Sequence, residues 1–298
     1  MQTLKMYDLQ FIRAFMSSCA DGWEQNWHER NGGNLTYRLT DEEIRQVLCL
    51  SDTEPGPWVP IGVNVPLLAG QWYLVTGSGK YFRYVQHDPE DCIAIIELDD
   101  KGENYRIRWG LVNGGRPTSE LPSHLMNHQV KQKIGEDCRV IYHSHPANTI
   151  ALSFLLPPDD ETFTKTLWGM ISECVVVFPD GVGVLPWMVP GSREIAEATS
   201  QLMEKYDVVI WCQHGIFCAG RDLDTAFGLT HTVEKAAEIY IKVRSAGGNT
   251  DQAISMENIH RLEKAFLIKA QDDFGRRQVR TIHSEGTGYS FRNENQEV

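Results

Sequence analysis

The sequence has no long apolar run, no surplus of basic residues and no paired cysteines, and each absence excludes a class of protein. No stretch approaches the length of a membrane span, so a helical membrane protein is not expected. Acidic residues outnumber basic ones by 40 to 28, for a formal net charge of -12. A nucleic-acid binder normally carries a basic face, and this balance argues against one. An anionic substrate would meet a repulsive overall field, which local donors must overcome. The seven cysteines are scattered, odd in number and without a C-x-x-C pair, the usage of a reducing compartment. Lys5, Asp8 and Arg13 interrupt the apolar residues near the start, so no signal-peptide core is read and a cytoplasmic protein is expected. A Walker A loop is also missing, because Thr76-Gly77-Ser78-Gly79-Lys80 lacks the spaced first glycine and the hydroxyl residue after the lysine.

What is present is an ordinary globular composition, 42% hydrophobic and 23% charged, in 298 residues. Leu9, Ile12, Met16, Cys19 and Trp23 recur at three- and four-residue steps and predict an opening amphipathic helix. Beyond Asn31-Gly32-Gly33-Asn34, Leu35, Tyr37 and Leu39 alternate with Thr36 and Arg38 as a half-buried strand. Residues 40–70, with prolines at 55, 57, 60 and 66, read as an irregular peripheral insertion. Further strands are expected over 72–75, 93–98, 105–109, 174–178 and 208–211. Helices are expected from Thr118 or Ser119 as N-cap through His128, and over 163–170, 192–205 and 223–246. Strands and helices alternate without internal repeats, which favours a single layered α/β domain over residues 1–270. A polar tail, 271–298, follows it.

The chemistry centres on Arg139 to Pro146. In an extended strand His143 and His145 point the same way, which is half of a metal site. His214, just past the buried strand at 208–211 and followed by glycine, is the best third ligand. Zinc suits such a set, since a catalytic zinc takes three protein ligands and leaves a position open. Glu120, His124 and His128 form a competing set at four-residue spacing on one helix face, although a solvated face accounts for the two histidines without any metal. Glu120 is better read as the acid/base, a carboxylate at a helix start close to a bound cation. Glu173 is a second carboxylate without a clear role. The two glycine loops and the Thr118-Ser119 pair supply N–H, amide and hydroxyl donors suited to a phosphate, so a phosphorylated substrate is expected.

The segments Glu29-Arg30-Asn31-Gly32-Gly33-Asn34-Leu35-Thr36, Thr76-Gly77-Ser78-Gly79-Lys80, Pro117-Thr118-Ser119-Glu120-Leu121-Pro122, His143-Ser144-His145 and Gln213-His214-Gly215 occur in an order that resembles the class II aldolase/adducin family. The run from Glu173 through Pro179-Asp180-Gly181 to Pro190-Gly191 strengthens the likeness, which covers about residues 5–270. The resemblance implies a layered sandwich with a central, mainly antiparallel sheet flanked by helices. It also implies one Zn2+ per subunit on His143, His145 and His214, with catalysis of aldol cleavage of a ketose phosphate by Glu120. Phosphate binding is implied for Asn31, Gly32, Asn34, Ser78, Gly79 and Ser119, with Thr118 assisting. A cytoplasmic homotetramer with active sites at subunit interfaces is implied as well, and there Glu173 acts across an interface. A sugar-phosphate epimerase or another aldolase of the family, a zinc hydrolase and a non-catalytic adducin-like protein remain the alternatives.

Overall fold

The computed structural model describes residues 4–51 and 54–270. Along the chain lie β1 (Asn34–Arg38), β2 (Val59–Pro60), β3 (Trp72–Thr76), β4 (Ile93–Leu98), β5 (Asn104–Gly110), β6 (Val140–Ser144), β7 (Gly183–Leu185), β8 (Val208–Trp211) and β9 (Gly215–Gly220). They form one sheet in the order β2-β5-β4-β3-β1-β6-β9-β8-β7. Every neighbouring pair is antiparallel except β7 and β8. The helices are α1 (Gln10–Glu24), α2 (Asp41–Leu50), α3 (Pro89–Cys92), α4 (Leu121–Lys133), α5 (Ala147–Leu152), α6 (Asp160–Met170), α7 (Glu173–Val177), α8 (Arg193–Met203), α9 (Leu223–Ser245) and α10 (Met256–Phe266). This is the expected layered α/β sandwich around a mainly antiparallel sheet. No helix among the described residues is long and apolar enough to cross a membrane, and all seven cysteines are free.

Successive side chains of a strand face opposite sides, and here both sides are covered. Leu35, Tyr142 and Cys218 belong to the layer that packs against α1, α5 to α7, α9 and α10. Val75, Ile141 and Phe217 face the other way, toward α4 and α8. The double coverage corrects the reading of β1 as half-buried. Thr36 faces α4 and is fully buried, so the side expected to meet water meets a helix instead.

Other expectations shift for related reasons. Residues 40–70 are not irregular throughout, because Thr40 and Glu43 form a reciprocal capping box that starts α2, and Val47 anchors that helix to the core. The valine run after Glu173 is a short helix, α7, where a strand was expected. Cys174 and Val175 pack into the cluster of α6, α9 and α10, and this burial outweighs the β-preference of the valines. At α4 the N-cap position belongs to Glu120. The Thr118 hydroxyl accepts from the Glu120 N–H at 3.2 Å, and the Glu120 side chain makes no cap hydrogen bond of its own. The tail expected at 271–298 lies outside the described residues.

Candidate metal centre and active site

Antiparallel pairing brings the working loops to one edge of the sheet. The start of β1 lies beside the ends of β3 and β6, and the start of β9 lies beside the ends of β6 and β8. His143 is the fourth residue of β6, opposite Asn34 of β1, and His145 follows the end of that strand. His214 sits in the tight turn between β8 and β9, after Gln213, which takes a positive φ of 58°. Gln213 is fixed there by Ser153, whose hydroxyl accepts from its backbone N–H at 2.9 Å. Gly215 allows the closure, since a Cβ there would stand 2.3 Å from the Ser144 carbonyl and 2.9 Å from the His145 ring.

The three imidazoles converge through their Nε2 atoms. His143 Nε2 is 3.1 Å from that of His214 and 3.2 Å from that of His145. For His143 and His145 the tautomer follows from the far side of the ring. His143 Nδ1–H donates to the Ile216 carbonyl at 3.0 Å, and His145 Nδ1–H donates to the Glu29 carboxylate at 2.8 Å. Both Nε2 atoms therefore present lone pairs to one point. Burial, with His145 and His214 beside it, holds the His143 imidazole well below the usual histidine range, and burial brings His214 down to about 4. Unprotonated lone pairs crowded this closely repel one another unless a cation lies between them. Tetrahedral bonds of about 2.1 Å to an ion would set such nitrogens about 3.4 Å apart, close to the observed spacing. The donor set therefore fits a divalent ion that favours imidazole.

Glu120 stands beside this cluster, with Oε2 3.6 Å from His143 Nε2. It is 8% exposed, and burial raises its carboxyl above the usual range, opposed by the Asn34 amide, which donates to Oε2 at 2.8 Å. The three donor loops meet here. Leu35 N–H donates to Thr76 Oγ1 at 3.1 Å, Ser78 N–H donates to the Arg116 carbonyl at 2.8 Å, and Gly77 and Pro117 form an isolated bridge. Asn31, Ser78, Gly79 and Ser119 are exposed on these loops, Gly32 is half-buried, and Thr118 is buried. Asn34 differs from them, because both ends of its amide are already engaged, with Glu120 and with His124. Lys80 and Arg38 have ordinary surface roles, in ion pairs with Asp91 at 2.6 Å and Asp137 at 3.1 Å.

The alternative metal set is not formed. His124 and His128 do lie on the same side of α4 as Glu120, but that side is buried against Thr36 rather than solvated. Among the described residues the only group of three ligands is His143, His145 and His214. Glu173 is exposed on α7, and no hydrogen bond or ion pair among the described residues joins it to that group. Two participants escaped the sequence reading. Glu29 orients His145, and the hydrogen bond from His145 holds its carboxyl below the usual range. His28 braces the first glycine loop, donating from Nδ1 to the Gly32 carbonyl at 3.0 Å and accepting from the Tyr142 hydroxyl at 2.7 Å. Glu29 stands two residues before the first glycine loop, a position that could have marked it. Nothing local distinguishes His28.

Known proteins share this arrangement of the chain. The chain is 48% identical over 261 residues to rhamnulose-1-phosphate aldolase of Pectobacterium atrosepticum, covering 87% of this chain and 94% of that one. It is 47% identical over 265 residues to the protein of the same name from Mannheimia succiniciproducens, covering 88% and 96%. Among solved structures, a sugar-phosphate aldolase from Thermotoga maritima superposes with a TM-score of 0.68 at 28% identity, over 80% of this chain and 97% of that one. Residues 13–241, which carry every loop of the site described above, match the model of the class II aldolase and adducin N-terminal domain. With both the sequence and the architecture in agreement, the chain belongs to the class II aldolase and adducin family.

Proposed function

We propose that this chain is a metal-dependent aldolase that reversibly cleaves L-rhamnulose 1-phosphate into dihydroxyacetone phosphate and L-lactaldehyde. The observation that carries the reading is the buried carboxylate of Glu120 within 3.6 Å of a histidine whose Nε2 converges with two others. The near-full-length identity to rhamnulose-1-phosphate aldolases supports the substrate. His143, His145 and His214 would hold the metal, read as zinc. When bound, it supplies a Lewis acid for the ketose oxygens and for the negative charge that develops on the ketone half as the bond between carbons 3 and 4 breaks.

The other steps belong to the chain's own groups. Glu120 takes the proton from the hydroxyl on carbon 4, whose oxygen becomes the aldehyde carbonyl as the carbon–carbon bond electrons pass to the ketone half. The same carboxyl then returns a proton to carbon 3, so protons balance over the cycle. Burial, by raising its pKa, makes it a better proton acceptor than an exposed carboxylate. Asn31, Gly32, Ser78, Gly79, Thr118 and Ser119 bind the phosphate through N–H, amide and hydroxyl donors, and fix the reacting carbons beside Glu120. Asn34, assigned to the phosphate by its position in the loop, works chiefly on Glu120. In this reading residues 1–270 are the catalytic domain of a cytoplasmic homotetramer, and Glu173 serves the site of a neighbouring copy.

A coupled assay for dihydroxyacetone phosphate tests the reading, run on rhamnulose, fuculose and ribulose phosphates with and without chelator. Rhamnulose 1-phosphate is the expected best substrate, with turnover lost on chelation and restored by zinc. Absence of dihydroxyacetone phosphate from every ketose would indicate an epimerase, and activity indifferent to complete metal removal would sink the mechanism. Glu120→Ala is expected to keep its metal and lose turnover by roughly a thousandfold, as removal of a general acid/base does.

A further inference from the structure

Behind Glu120 runs a file of buried polar side chains that the cleavage chemistry does not itself use. Asn34 Nδ2 donates to Glu120 Oε2, and Asn34 Oδ1 meets His124 Nε2. His124 Nδ1 lies 2.9 Å from Thr36 Oγ1, which in turn lies 2.9 Å from His128 Nε2. Thr36, His124 and His128 are all closed off from water. Such a file is costly to bury unless each donor finds an acceptor, so the direction of every bond can be worked out.

The two ends give the same answer. A carboxylate only accepts, so the Asn34 NH2 must face Glu120 and its carbonyl must face His124. His124 then carries its proton on Nε2. Burial pushes His124 down to about 3, partly opposed by the Ile141 carbonyl, so the ring is neutral and Nδ1 accepts from the Thr36 hydroxyl. At the far end His128 Nδ1 has no hydrogen-bond partner. A buried orphan N–H is rarer than a buried orphan acceptor, which puts the His128 proton on Nε2, aimed at Thr36 Oγ1. Threonine is the one member able to donate and accept at the same time through a single atom.

We propose that His128, Thr36, His124 and Asn34 form a one-way hydrogen-bond chain that fixes the Asn34 amide with its NH2 toward Glu120 and so holds that carboxylate in position for proton transfer. His124 and Thr36 are positioning residues, two and three hydrogen bonds removed from Glu120. An amide does not pass protons readily, so the chain orients and does not relay. The proposal rests on the acid/base reading of Glu120.

The test compares Thr36→Val, Thr36→Ser and Glu120→Gln on L-rhamnulose 1-phosphate, with turnover expressed per bound zinc. Valine matches threonine in shape and removes only the oxygen. Thr36→Val is expected to lower kcat about tenfold while KM stays within about twofold, since a displaced catalytic group costs rate more than binding. Thr36→Ser is expected to restore most of the loss. Long-range proton–nitrogen NMR of the wild type should show His124 and His128 as Nε2–H tautomers. A Thr36→Val enzyme with wild-type kcat per zinc, or a His124 protonated on Nδ1, overturns the proposal. Equal loss in Thr36→Val and Thr36→Ser overturns it as well, because loss of packing would then explain both. Glu120→Gln separates the two levels. If it turns over normally, the acid/base reading itself falls; if it is inactive while Thr36→Val is fully active, only the chain falls.

Discussion

Two histidine groups lie within a few side chains of each other and have opposite fates. His124 and His128 hand their hydrogen bonds to Thr36 and Asn34, and their one remaining lone pair is buried against protein. His143 and His145 turn their N–H groups outward, to the Ile216 carbonyl and the Glu29 carboxylate, and leave both Nε2 lone pairs facing a common point. By spacing alone the i, i+4 pair on a helix is as good a metal motif as the i, i+2 pair on a strand. What separates them is the partner of the far ring nitrogen, which decides whether the near one is spent or free. A ligand is recognised by what lies behind it.

The contrast is broken most severely by His214→Ala. If the three histidines hold the proposed zinc, this variant is expected to lose it and to lower turnover on the order of a thousandfold, because a Lewis acid would go with it. His128→Phe should keep a full equivalent of zinc. Metal analysis of the two purified variants checks both statements, and zinc loss in His128→Phe would erase the distinction between the groups. A smaller effect is expected at Glu29, an exposed carboxylate that acts only through His145. Glu29→Gln should weaken zinc binding by about 10- to 100-fold, the usual cost of removing such an orienting group. Competition with a chromophoric chelator measures it, and unchanged affinity would show that the β6 backbone alone orients the ring.

The sheet, most of its strands and the long helices were legible because apolar periodicity and turn residues are local signals. The three histidines that converge were legible for the same reason, each standing at or near a strand end with a glycine or proline nearby. What stayed hidden depended on contacts between distant segments. Thr36 reads as a solvent-facing strand residue until α4, which brings His124 from 88 residues later in the chain, is laid over it. His124 and His128 read as a solvated helix face for the same reason. The Glu173 run follows strand chemistry and becomes α7 only because it is buried beneath α9 and α10. Residues 40–70 show the converse case, a local signal masked by its surroundings, since Thr40 and Glu43 spell a capping box ahead of a proline-rich run.

The smallest expected effect is on stability against pH, and it bears on the same contrast. His28 and His124 titrate near 3 when folded, from an ordinary value of 6.5, and burial pushes His128 and His143 well below that value. These pKa values are depressed, so the folded chain prefers the neutral rings and the unfolded chain binds protons that the folded one refuses. Stability is therefore fullest above about pH 6.5 and declines as the pH falls toward 3, by up to about 1.4 kcal/mol per pH unit for each such histidine. Glu120 runs the other way, since its raised pKa gives stability that is present in acid and lost as the pH rises through the folded value, but it is one group against several. Urea midpoints of the zinc-free protein between pH 7.5 and 5 measure the slope. His128→Phe should flatten it by close to one histidine's share. His214→Ala should flatten it less, because His214 is partly exposed and solvent screens its charge. Equal slopes in His128→Phe and the wild type would mean that water reaches the His128 ring, and that the chain behind Glu120 is not the dry, directed one its bonds describe.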